Sequence, residues 1–271
     1  MTGLIIFLIV MPIIAVLIWR YKKPVLTTVV LPADYRELLN KHVAFYNKLN
    51  DANKIKFENR IQDFLSYVRI TAVNTDITTL DKLFVASSAV IPAFGFNWHY
   101  YNLTDVLLYD GVFNADDFSV ATKDSDVLGM VGTGPMQRMM ILSKPALRQG
   151  FANEVSKSST GIHEFVHLLD KADGDTDGIP EELMNRQYTI PWLKYMSEEI
   201  ERMKQGKSDI NIYGATNKAE FFAVASEYFF GSPEHFKENH PELFEMMTNI
   251  FQQNPEPGKT NASSQPPRTL E

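Results

Sequence analysis

Thr160-Gly161-Ile162-His163-Glu164-Phe165-Val166-His167-Leu168-Leu169-Asp170 is the stretch around which the rest of the chain is organised. Residues four apart on a helix share a face, so His163 and His167 can each turn a neutral imidazole nitrogen toward one metal ion. Glu164 lies one step round the helix. It is badly placed to join the histidines as a ligand and well placed to reach a water beside the metal. A zinc hydrolase needs that division of labour: the metal acidifies water and the carboxylate takes the proton. An imidazole-rich site with an open position points to zinc, one ion per chain. The bare spacing also recurs in proteins whose helix simply carries two solvated histidines. Against that reading, two of only six histidines (positions 42, 99, 163, 167, 235 and 240) stand at ligand spacing. The flanks Ser158–Ile162 and Phe165–Leu169 carry no charge apart from His167, so the helix reads as buried.

A third ligand is sought downstream, in Tyr213-Gly-Ala-Thr-Asn217-Lys-Ala-Glu220-Phe-Phe-Ala-Val-Ala-Ser-Glu227-Tyr-Phe-Phe230. The stretch is a helix apolar nearly all round. Asn217 suits an N-cap, and Glu220 three residues on would complete a capping box, which gives Glu220 an ordinary structural role. Yet Glu220 and Glu227 are two acids on one apolar face, and buried carboxylates need partners. Glu220 is read as the ligand, with Glu227 behind a ligand imidazole; the reverse assignment stays open. In a His-x-x-x-His-x-x-Gly-x-x-His pattern the last ligand would fall on Asp173, but Asp170 occupies the glycine position, which ranks Asp173 below Glu220. Asp170 is a candidate to orient a ligand imidazole.

His163–Asp170, the loop Asp173-Gly-Asp-Thr-Asp-Gly178-Ile-Pro180 and the Tyr213–Glu227 stretch together resemble the Mlc titration factor A (MtfA) family. Phe57–Leu65 and Leu83–Ala93 share in the resemblance, which covers about residues 32 to 250. These are gluzincin-type zinc metallopeptidases related to the catalytic domain of anthrax lethal factor. The resemblance implies His163, His167 and Glu220 as zinc ligands, Glu164 as general base, and Tyr213 as a residue that stabilises the oxyanion. A phenol is suited to donate a hydrogen bond to a developing oxyanion. It also implies a peptide or protein substrate, and a transcriptional regulator as a possible partner.

The 271 residues allow one large domain or two small ones. A net charge of −7 and a pI near 5.4 argue against a nucleic-acid partner. With no cysteine, a disulfide scaffold, a thiolate metal site and a cysteine nucleophile are excluded. Gly3–Trp19 is uncharged and ends in Trp19-Arg-Tyr-Lys-Lys23 with no small-x-small cleavage site, so residues 1–23 are expected to form a transmembrane anchor with a basic flank. The positive-inside rule then places the catalytic domain in the cytoplasm. A linker follows at 24–31, the peptidase domain at 32–253, and a Pro-, Ser- and Asn-rich tail expected to be disordered at 254–271.

Within the domain, apolar spacing predicts helices over 32–49, 52–70, 79–93 and most of 180–204. A hairpin is predicted from 127–131 and 138–142, beside the active helix, where an extended peptide could dock by strand addition. Asp173-Gly-Asp-Thr-Asp-Gly178 resembles the start of an EF-hand loop, but Met184 stands where the bidentate glutamate belongs; a tight turn is the reading. The expected fold is α+β and predominantly helical, a zincin-like domain with a small sheet. Two other functions fit the sequence: a binder that sequesters a regulator with a structural zinc, and a membrane-bound sensor with a latent peptidase.

Overall fold

The computed structural model describes residues 31–111, 128–132, 138–153 and 156–256. The expected anchor and nearly all of the linker lie outside the described residues, as does the tail beyond 256. Among the described residues no helix is long and apolar enough to cross a membrane.

The elements are α1 (Tyr35–His42), α2 (Ala44–Asn47), α3 (Asp51–Tyr67), β1 (Arg69–Val73), α4 (Thr79–Ala93), β2 (Asp105–Tyr109), β3 (Gly129–Val131), β4 (Met139–Ser143), α5 (Lys144–Gln149), α6 (Thr160–Asp170), α7 (Thr189–Lys204), α8 (Lys218–Gly231), α9 (Pro233–Asn239) and α10 (Pro241–Phe251). Helices predominate around one small sheet, so the fold is α+β. The sheet order is β1-β2-β4-β3; β1, β2 and β4 run parallel, and β3 pairs antiparallel with β4 at the edge.

Three elements differ from the sequence expectation. The first predicted helix is broken at Val43, whose extended backbone (φ −119°, ψ 93°) separates α1 from α2. The second stops at Tyr67, because the Arg69 amide is taken by Thr104 O at 2.9 Å and the chain enters β1. Helical spacing through Ile70 is thus overridden by pairing with β2. The stretch from Pro180 becomes α-helix only at Thr189. The Glu181 amide, which a helix start would leave for water or a cap, is bound by the Asp173 carboxylate at 3.2 Å and by Ile179 O at 2.7 Å.

Two helices carry the site and both are buried. In α6, Phe165 is fully buried, with its ring 5.6 Å from Phe64 of α3 and 5.2 Å from Tyr100. In α8, every residue from Phe221 to Phe230 is buried, against Trp192 of α7 and Phe251 of α10. Burying an aromatic side chain contributes about 2–3 kcal/mol relative to leaving it exposed, so these contacts hold α6 and α8 each in the core, where the two helices pack on one another. α6 also packs on β3 and β4, and α4 packs across its back.

The start of α4 is pinned by a fully buried Asp81. Its carboxylate closes a capping box with Thr78 and receives Arg148 Nε at 2.7 Å and Nη2 at 3.0 Å. Burial works to raise this carboxyl; the Arg148 fork and the Thr78 amide and hydroxyl outweigh it, and the net shift is downward. Asp81→Ala removes the capping box and the Arg148 pairing, while the half-exposed Arg148 can return to water, so it should lower the unfolding free energy by about 1–2 kcal/mol in a urea titration. The Asp81 contribution is present above the unfolded carboxyl pKa and lost as pH falls through the depressed folded value. The variant should therefore lose less stability than wild type on acidification.

Candidate metal centre

Ser159 caps α6, and its own amide donates to Glu227 Oε2 of α8. The other Glu227 oxygen meets His163 Nδ1 at 2.7 Å. One buried carboxylate therefore ties the start of α6 to the middle of α8 and orients the first imidazole. With Nδ1–H donating to Glu227, Nε2 of His163 turns its lone pair into the cleft. His167 Nε2 lies 3.1 Å from His163 Nε2. Glu220 enters from the first turn of α8. Its Oε2 stands 3.0 Å from His163 Nε2 and its Oε1 3.6 Å from His167 Nε2.

The Asn217 side chain caps α8 by accepting the Glu220 amide at 2.9 Å. Half of the capping box is thus formed, and the Glu220 carboxylate faces the histidines instead of closing it. Glu220 Oε2 is buried without an aligned hydrogen bond, as is His167 Nδ1. Ligand atoms about 2.0–2.2 Å from a tetrahedral ion stand about 3.3 Å apart, and these three donor atoms converge at that spacing. Without a metal the two imidazoles and the carboxylate share protons among themselves; a cation would replace those protons and satisfy all three.

Charge follows the same geometry. Burial pulls the His163 imidazole down, but the Glu220 and Glu227 carboxylates prevail and push it up to about 10. Burial raises Glu220 and the two imidazoles prevail, bringing it down to about 2. Glu164 is buried and its carboxyl is raised, by burial first, despite the neighbouring histidines. A base so placed holds a proton more firmly than a free glutamate, as a general base should. Tyr213 is about half exposed, on the 3-10 turn Ile212–Ala215, with its ring 6.1 Å from that of His163. Burial and the site's glutamates raise its phenol, which stays a donor. The loop leading to it is anchored by Asp209, bound to Lys157, the Tyr228 hydroxyl and His240 Nε2, each at 2.6 Å.

Asp170 departs from its expected role. It makes no hydrogen bond to either imidazole and interacts with His167 only through charge; Oδ2 accepts the Gly178 amide at 2.8 Å and Oδ1 has no hydrogen-bond partner. Burial raises this carboxyl to about 6. Asp173 lies away from the histidines and spends both oxygens on the Asp175 and Glu181 amides.

Two glycines complete the site, and neither was singled out from sequence. A Cβ on Gly129 of β3 would stand 2.6 Å from Glu164 Cγ and Oε1, so the edge strand passes directly over the base. Gly178 has φ +79°, and a Cβ there would stand 2.3 Å from Lys218 O. Its carbonyl accepts the Trp192 indole N–H at 2.7 Å. Asp170, Gly178 and Trp192 thus hold the end of α6 and the start of α8 together, two residues before Glu220. A lone Gly-Ile-Pro after an Asp-rich turn carries no sign of that approach. The cleft above the three donors has a volume of about 590 Å³, walled by β3 on one side and by Tyr213 and the start of α8 on another.

The sequence model of the glucose-regulated metallo-peptidase M90 family matches residues 17–252. The chain belongs to this family, one of metallopeptidases acting on peptides or proteins. An uncharacterized protein of Synechocystis sp. is 25% identical over 86% of this chain and 88% of its own length. Mlc titration factor A of Escherichia fergusonii is 32% identical over 56% of this chain and 60% of its own, and that of Klebsiella pneumoniae strain 342 is 28% identical over 71% and 76%. The matches agree with the MtfA resemblance drawn from the motifs.

Gly178→Ala should weaken metal retention by about tenfold or more in competition against a chromogenic chelator, because the start of α8 must retreat from position 178. An unchanged affinity would show that Glu220 is positioned without this contact. A proton must leave His163 before a metal binds, so apparent affinity should rise about tenfold per pH unit across neutrality. A flat profile would mean that His163 is already neutral in the metal-free chain.

Proposed function

We propose that this chain is a zinc-dependent peptidase in which His163, His167 and Glu220 hold one zinc ion and Glu164 acts as general base. The observation that carries this reading is the convergence of three protein donors, with no fourth among the described residues, at the floor of an open cleft. Structural zinc sites use four protein ligands; a fourth position open to a cavity is the arrangement that catalysis uses. When bound, zinc supplies Lewis acidity to the scissile carbonyl and to the attacking water.

The chain's own groups do the rest. Glu164 removes the proton of the attacking water and returns it to the leaving amine. Its buried position beneath Gly129 raises its basicity and keeps it within reach of whatever lies along β3. Tyr213 donates its phenol proton as a hydrogen bond to charge developing on the carbonyl oxygen. Glu227 holds the His163 ring in one tautomer. The outer edge of β3, unpaired among the described residues, offers backbone groups to an extended peptide, laid antiparallel or parallel as an added strand across the base.

On this reading residues 1–23 tether the domain to the cytoplasmic membrane, with the domain on the cytoplasmic side. A second reading rests on the name of the relatives, Mlc titration factor A, which speaks of a partner taken up. On it the chain chiefly sequesters a transcriptional regulator, and the zinc site is latent or structural.

Wild type and Glu164→Gln are to be compared for metal content and for cleavage of a mixed peptide library. About one zinc per chain in both, with turnover lowered 10²-fold or more in the variant, is expected. Equal turnover would end the role given to Glu164. Zinc in both with cleavage by neither would favour the sequestering reading.

A further inference from the structure

Two lysines line the cleft and form no ion pair among the described residues. Lys171 follows His167 by four residues, on backbone that is still helical (φ −70°, ψ −1°), so it continues the row His163–His167–Lys171 along one face. Lys218 opens α8, two residues before Glu220. Both line the 590 Å³ cleft. Among the described residues the lysines in ion pairs are Lys157, Lys194 and Lys237. Lys171 and Lys218 are not among them, and neither ammonium donates a hydrogen bond there. Gly178 lies against the Lys218 backbone, which fixes where that lysine leaves α8.

The nearby acids offset them only in part. Asp177 is the one carboxylate of the loop after α6 that lines the cleft, and its Oδ1 is spent on the Ile179 amide at 3.0 Å. Asp173 is committed to two backbone amides, and Asp175 is exposed. Glu164 and Glu220 lie at the floor, engaged with the histidines or beneath β3. Apart from Glu164 and Glu220, which sit with the histidines, the two lysines exceed Asp177 by one positive charge, in a chain whose net charge is −7. Cationic side chains at a cleft mouth select what enters through their field and by direct pairing.

Resting on the peptidase reading, we infer that Lys171 and Lys218 form a specificity subsite for a substrate carboxylate, next to the bond that is cut. The carboxylate belongs either to an Asp or Glu side chain or to the peptide's own C-terminus.

The test uses the zinc-loaded full chain and peptide pairs that differ in Glu against Gln at each position, each made with a free and an amidated C-terminus. Two partly exposed ammonium groups should favour the acidic peptide by about tenfold in kcat/KM at one position. In K171E/K218E the Glu-to-Gln ratio should invert. A preference that follows the free C-terminus instead of the side chain assigns the carboxylate to the chain end. Equal turnover of Glu and Gln peptides, free and amidated, overturns the inference while leaving the peptidase reading intact. If no peptide is cut, the peptidase reading fails separately, and anisotropy titrations of the same fluorescent peptides decide the subsite. Tighter binding of the acidic peptide, reversed in K171E/K218E, supports it. A preference that survives both reversals belongs to the metal and overturns it.

Discussion

A carboxylate buried among phenylalanines must be paired, and Glu227 meets that requirement from two sides at once. It takes the amide that caps α6 and the ring nitrogen of His163. Break this pairing and α8 keeps an uncompensated charge in its core, while His163 loses the partner that sets its tautomer. The register of α6 against α8 follows from it, and the register decides whether Glu220 meets the histidines. The aromatic contacts of Phe165, Phe221 and Phe222 hold these helices to their surroundings. They would tolerate a slip of a few tenths of an ångström, which a set of ligands would not.

The site is closed from the far end by a different device. Asp170 holds Gly178, Trp192 holds the carbonyl of the same residue, and Gly178 lies against the backbone of Lys218. α6 and α8 are thus linked at both ends, by Glu227 near Ser159 and by Gly178 near Asp170. The donors His163, His167 and Glu220 sit between the two links. On the open side, the sheet contributes only its edge. β3 is short, its glycine lets it cross above Glu164, and its outer hydrogen-bonding groups face away from β4.

Much of this was legible in the chain. The i, i+4 histidines, the uncharged flanks and the two acids seven apart were enough to place the donors on two buried helices. The Asn217 cap was read from its position before an apolar run. What the sequence did not disclose has physical causes. Arg69 and Ile70 fit helical spacing, and only the competing partner Thr104 turns them into β1. The parallel pairing of β1, β2 and β4 depends on which strands become neighbours, which alternation alone does not encode. Asp170 was read as a partner of a histidine because carboxylates often are. Its partner is the amide of Gly178, and a backbone amide has no letter in the sequence. Lys171 and Lys218 look like ordinary surface lysines until the cleft is seen between them.

The ligand set is tested most directly by anomalous diffraction at the zinc absorption edge from crystals of the zinc-loaded chain. One peak about 2.0–2.2 Å from His163 Nε2, His167 Nε2 and a Glu220 oxygen, with no fourth protein atom at that distance, is the expected result. A peak bound by Asp173 or Asp170 in place of Glu220, or one closed by a fourth side chain, would contradict it.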